Sequence, residues 1–153
     1  SMNRFVIEEL VYTTCLLLDE HKYTEYLELC AEDFRYTITA HSPEIRKDMV
    51  WLDHDKKGMQ TLLTQLPRHN SDHSPLSRHA TVYTVSIDES AKEADVVTAL
   101  QVYKTALDGG ETALFAVGKY LDHVSLADDK PRLTRRVVKL DTRMLGIGYH
   151  IPF

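Results

Sequence analysis

Over residues 3–20, Val6, Ile7, Leu10, Val11, Cys15, Leu17 and Leu18 recur, with Thr14 among them, at steps of three and four, which lays one apolar stripe along a helix. After His21-Lys22-Tyr23, Thr24 is placed to cap a second, short helix reaching Cys30, with Glu25 in its first turn and Tyr26, Leu27 and Cys30 turned inward. The period then drops to two. Phe34, Tyr36 and Ile38 alternate with Arg35, Thr37 and Thr39, the pattern of a strand with one apolar face. His41-Ser42-Pro43 breaks it, and Met49 and Trp51 suggest another short strand. Asp53 or Asp55 can cap a third helix that buries Met59, Leu62, Leu63 and Leu66 and is expected to stop before Pro67, leaving a polar loop over residues 68–75.

The second half of the chain is β-rich, with runs over residues 77–87, 95–107, 112–124 and 133–145. Asp108-Gly109-Gly110 reads as a hairpin turn, because glycine supplies the positive φ that tight turns require, and Asp128-Asp129-Lys130-Pro131 reads as another turn. Helices first and long antiparallel strands afterwards predict one α+β domain over residues 3–153, its helices covering the concave face of a curved sheet. Strands of a dozen residues have room for the bulges that such curvature needs.

Composition narrows the partners. The chain has 153 residues, 43% of them hydrophobic, with a formal charge of −5. Folding at this length buries about two-thirds of the surface, enough for a core without staples. An acidic chain repels phosphate, so no nucleic-acid partner is expected. The charges are nevertheless segregated. Lys130, Arg132, Arg135, Arg136, Lys139 and Arg143 crowd toward one end of the sequence, while Glu8, Glu9, Asp19, Glu20, Glu25, Glu28, Glu32 and Asp33 crowd toward the other. Two cysteines on helical segments make no disulfide framework, and no apolar stretch approaches the ~18 residues that span a bilayer. A cytoplasmic location without membrane contact is the expectation.

Motifs for chemistry are scarce. His69 and His73 are four apart, but Pro67 and Pro75 place them in a loop, where that spacing does not chelate. Asp53-His54-Asp55 reads as a helix start. Neither Cys15 nor Cys30 has the histidine neighbours of a Rieske ligand pair. No glycine-rich turn joins a strand to a helix, since Gly146-Ile147-Gly148 lies in the tail, and no serine sits in a nucleophile elbow. One residue stands out. Thr134, Arg136, Val138, Leu140 and Thr142 share one face of the last run, and Leu133, Arg135, Val137, Lys139 and Asp141 share the other. The first face is the more apolar, so Arg136 is expected to carry its charge inward, paired with a carboxylate from the helical half or from a partner chain.

Three ordered blocks carry a resemblance. The first is Leu16-Leu17-Leu18-Asp19, Tyr23-Thr24-Glu25-Tyr26-Leu27-Glu28-Leu29 and Ala31-Glu32-Asp33-Phe34-Arg35-Tyr36; the second is Asp53-His54-Asp55, Leu62-Leu63 and Pro75-Leu76-Ser77-Arg78; the third is Arg135-Arg136-Val137-Val138-Lys139-Leu140-Asp141. Together they resemble the small (beta) subunit of Rieske-type ring-hydroxylating dioxygenases and related monooxygenases, with aromatic dioxygenases favoured over sulfonate-type monooxygenases. The resemblance implies a cone-like fold of the nuclear-transport-factor-2 (NTF2) type and a structural subunit without a catalytic centre. It further implies an alpha3beta3 assembly with a large (alpha) subunit that holds the Rieske iron-sulfur cluster and the mononuclear iron, in aromatic compound catabolism. On that reading Tyr83, Tyr103, Phe115 and Tyr120 are candidates for interfaces.

The competing reading keeps the fold but makes it a freestanding isomerase, dehydratase or cyclase, with a base and a donor converging inside the cone. Tyr12, Tyr36, His41, Trp51, Asp53, His79 and Tyr103 are the side chains that could supply them. A cone filled by Leu, Phe and Trp side chains would favour the subunit.

Overall fold

A computed structural model describes residues 3–69, 73–142 and 151–153. In chain order the elements are α1 (Arg4–Asp19), α2 (Tyr23–Glu28), β1 (Cys30–Ser42), β2 (Lys47–Asp55), α3 (Lys56–His69), β3 (Leu76–Asp88), β4 (Glu93–Thr105), β5 (Thr112–Ser125) and β6 (Arg132–Leu140). Asn3 caps α1 by accepting from the Val6 amide. Its far end closes with two reversed bonds, Lys22 N–H to Leu17 C=O at 2.8 Å and His21 N–H to Leu18 C=O at 3.2 Å, around His21 at φ 59°. That left-handed position is usually glycine's. The turn feeds directly into α2, which therefore starts at Tyr23 with no side-chain cap; Thr24 lies inside it, and Cys30 already belongs to β1. Asp55, not Asp53, caps α3, accepting from the Gly58 amide at 2.8 Å. The helix runs past Pro67, since a proline in the last turn forfeits a single backbone bond.

The six strands form one sheet in the order β2-β1-β6-β5-β4-β3, antiparallel except for the β1–β6 pair. Every ladder carries a register shift, at Ile38/Thr39, Cys30/Arg35, Val82/Thr84, Val102/Tyr103 and His123/Val124. Each adds local twist and bends the sheet around the helices. The last shift alters the expected face of β6, burying Leu133 together with Arg136, Val138 and Leu140. The turn between β4 and β5 holds Gly110 at φ 68°, as the sequence predicts. The core lies between the concave face and the helices, with Ile7, Val11 and Leu18 of α1 and Met59 and Leu63 of α3 buried against it. The end of the expected last strand (143–145), the glycine tail and residues 70–72 of the histidine-rich loop lie outside the described residues.

Candidate functional site

The concave face converges on Arg136, whose side chain is wholly buried. Its Nε and Nη2 donate to Asp122 Oδ1 and Oδ2 at 2.8 and 3.0 Å, and Cζ stands 3.8 Å over the Tyr120 ring. Asp122 is the residue directly opposite Arg136 in the β5–β6 ladder. The carboxylate therefore comes from the neighbouring strand rather than from the helical half or another chain. Burial alone would lower the guanidinium pKa. The charge of Asp122, with its two hydrogen bonds, outweighs it and holds Arg136 well above its ordinary value.

Three tyrosines, Tyr26, Tyr36 and Tyr120, are fully buried in the same core. Burial is the leading cause that pushes the Tyr26 and Tyr120 hydroxyls well above the usual tyrosine range and Tyr36 up to about 12, against the pull of Arg136. All three stay protonated at neutral pH and none can serve there as a base. Tyr26 Oη and Arg136 Nη1 have no hydrogen-bond partner among the described residues. Phe153 is packed against Tyr36: its N–H donates to Tyr36 Oη at 2.7 Å, its ring stacks on Phe115 at 6.1 Å, and it is 1% exposed. Arg78 fixes the same segment by donating to the Pro152 carbonyl at 2.8 Å, while its other arm reaches Asp19 at 2.7 Å. The interior is thus occupied by tyrosine, phenylalanine and one compensated arginine, and Trp51 is only half-buried.

Of the seven side chains considered for a cavity, Tyr36 alone is buried. Tyr12 lies on the exposed side of α1, its hydroxyl accepting from the Val82 amide where the β3 bulge frees it. His41 faces Asp48 at 3.3 Å near the β1–β2 turn. Asp53 makes a two-armed pair with Arg35 at 2.8 and 2.7 Å on the outer face. His79, opposite Gln101, meets edge-on at 5.0 Å the ring of Tyr103, which is opposite Ser77, also outside. They do not converge. Tyr26 is buried as its place on the second helix predicts; Asp122 and Phe153 are interior residues the sequence did not single out, and Tyr120, a candidate for an interface, belongs to the core.

Neither cysteine fits a metal. Cys15 Sγ rests against Tyr120 Oη at 3.9 Å, Cys30 Sγ donates to the Tyr26 carbonyl at 3.5 Å, and burial raises both thiols, Cys30 to about 12. Among the described residues no group of three or more His, Cys, Asp or Glu is arranged to hold an ion, and no helix is long and apolar enough to cross a membrane. Among the described residues, one groove of about 810 Å³ lies between α2 and α3 and another of about 560 Å³ between α1 and the start of β6.

The outer face carries one titrating cluster. His123 sits between Asp95 at 2.7 Å and Glu93 at 3.2 Å, and these bonds, led by Asp95, raise its pKa from 6.5. The stabilisation is complete below pH 6.5 and is lost as pH rises through the raised folded value. His123→Gln is expected to flatten that part of the Tm profile, by about 2 °C or less for so exposed a cluster.

Residues 14–146 match the family model described as "Ring hydroxylating beta subunit". The chain is 40% identical over 153 residues to the methanesulfonate monooxygenase hydroxylase subunit beta of Methylosulfonomonas methylovora, covering 95% of this chain and 84% of that one. It is 37% identical to the 2-aminobenzenesulfonate 2,3-dioxygenase subunit beta of Alcaligenes sp., over 99% of each. A solved beta subunit assigned to an aromatic-ring-hydroxylating dioxygenase of Novosphingobium aromaticivorans superposes with a TM-score of 0.80 at 20% identity, covering 92% of this chain and 90% of that one. The fold is the NTF2-like cone that the resemblance implied. One relative is named for a sulfonate monooxygenase and the other for a dioxygenase of an aromatic sulfonate, so both classes that the resemblance implied occur among them. With its matched region spanning both the helical half and the sheet, the chain belongs to the ring-hydroxylating beta subunit family.

Proposed function

We propose that this chain, as one NTF2-like domain, is the small, non-catalytic subunit of a cytoplasmic terminal oxygenase whose large subunit holds the Rieske cluster and the mononuclear iron. Three copies associate within an alpha3beta3 assembly, and neither nucleic acid nor membrane is a partner. The observation that carries this reading is what the interior holds among the described residues. Where a cone enzyme would keep a substrate pocket, this one holds the Arg136–Asp122 pair, three protonated tyrosines and Phe153. The sulfonate chemistry in the names of both relatives makes an aromatic or alkyl sulfonate the substrate class of the assembly.

Co-expression with a large oxygenase subunit from the same organism tests the reading. The two chains are expected to co-purify in equal numbers, with all iron bound by the larger one. Elution of the small chain by itself, with the large subunit active and complete without it, would overturn the proposal.

A further inference from the structure

Two polar atoms of the core are left over from the bonds already described. Arg136 uses Nε and Nη2 on Asp122, and its third nitrogen, Nη1, meets no acceptor among the described residues. The Tyr26 hydroxyl has no partner among them either, and both side chains are wholly buried. A buried N–H or O–H that goes unbonded bears its full desolvation cost, so native cores seldom keep one.

The two lie in one neighbourhood. Arg136 stands between Asp122 and Tyr36 in the inward row of the sheet. Tyr26 belongs to α2, whose end is fastened beside that row by the Leu133 N–H donating to the Leu29 carbonyl at 2.9 Å and by the Cys30 thiol donating to the carbonyl of Tyr26 itself. Arg136 is also the strongest pull against burial on the Tyr26 hydroxyl, with smaller effects from Cys30, Tyr36 and Asp122.

Charge decides what can join them. Arg136 and Asp122 already sum to zero, so an anion on Nη1 would bring an unanswered charge into the core. The joining molecule is therefore neutral, small, able to accept from Nη1 and to bond a hydroxyl in either sense, which is the chemistry of one water. We infer that a single buried water bridges Arg136 Nη1 and Tyr26 Oη, tying α2 to the Arg136–Asp122 pair. The water carries no charge, so compensation of the guanidinium stays with Asp122. This site goes beyond the subunit reading and stands or falls without it.

Tyr26→Phe tests it by sign. Removing a hydroxyl that bonds nothing leaves Tm unchanged or raises it, whereas removing one that holds the bridge is expected to lower Tm by about 3 °C or more at this chain length. In the Asp122→Leu/Arg136→Met background the other anchor is gone, and the same substitution is expected to leave Tm unchanged or raise it. A crystal structure of the full chain supplies the second readout, with one water expected within about 3.2 Å of both Nη1 and Oη. An unchanged or raised Tm for Tyr26→Phe in the wild-type background, a fall as large in the charge-free background, an ion at the bridging position, or a group of the chain itself bonded to Nη1 and Oη would each overturn the inference.

Discussion

Replacing Asp122 with alanine is expected to destabilise the chain by about 3–5 kcal/mol, because it leaves the Arg136 guanidinium buried and uncompensated. The carboxylate supplies both hydrogen bonds that Arg136 makes to side chains among the described residues, and neither partner is more than 3% exposed. Tyr120 under the guanidinium does not replace the carboxylate, since a ring face offers a contact of about 2 kcal/mol when desolvated but no hydrogen-bond acceptor for the two N–H groups. The paired variant Asp122→Leu/Arg136→Met removes both charges while keeping apolar volume, and is expected to recover most of the loss. Urea denaturation of the two variants decides the matter. A loss below about 1 kcal/mol in Asp122→Ala would mean that another acid or water reaches the guanidinium.

Phe153→Ala is expected to cost about 3 kcal/mol, the usual range for emptying a buried aromatic site, and to lower Tm by about 6–12 °C at this chain length. The side chain is 1% exposed, stacks on Phe115 and holds its own amide on Tyr36. Phe153→Leu retains much of the volume and is expected to lose less than half as much. A change within about 0.5 kcal/mol in the alanine variant would place the ring outside the core and reopen the cone.

Much of this architecture is legible in the residues, and the illegible part has a definite cause. The three-and-four spacing in α1 and the alternation in β1 specify elements by local period, the glycine turn separates the β-rich runs of β4 and β5, and the structure has all of them. The inward charge of Arg136 also follows from the pattern of its own strand. Its partner does not. Asp122 faces Arg136 only through the β5–β6 register, and that register carries the shift at His123/Val124. Chemical type makes Tyr12, His41, Asp53, His79 and Tyr103 fit for a cavity, but type carries no information about which face of a bulged strand a residue occupies. Asp53 looked like a cap and proved to be an outer-face ion pair, with Asp55 taking the cap. The blocks that resembled the family are joined in space. Asp19 of the first pairs with Arg78 of the second, and Arg35 of the first with Asp53 of the second.

The central claim is that the cone encloses packing while the oxidation belongs to the large subunit. Tyr36→Phe in the complete assembly tests it most directly, since it removes the hydroxyl of the one cavity candidate that reaches the interior and leaves the ring in place. Substrate-dependent dioxygen uptake is expected to keep its kcat within about 2-fold, because a protonated tyrosine bonded to the Phe153 backbone takes no part in proton transfer. A loss of 100-fold or more, the scale of a removed general acid or base, would contradict the account.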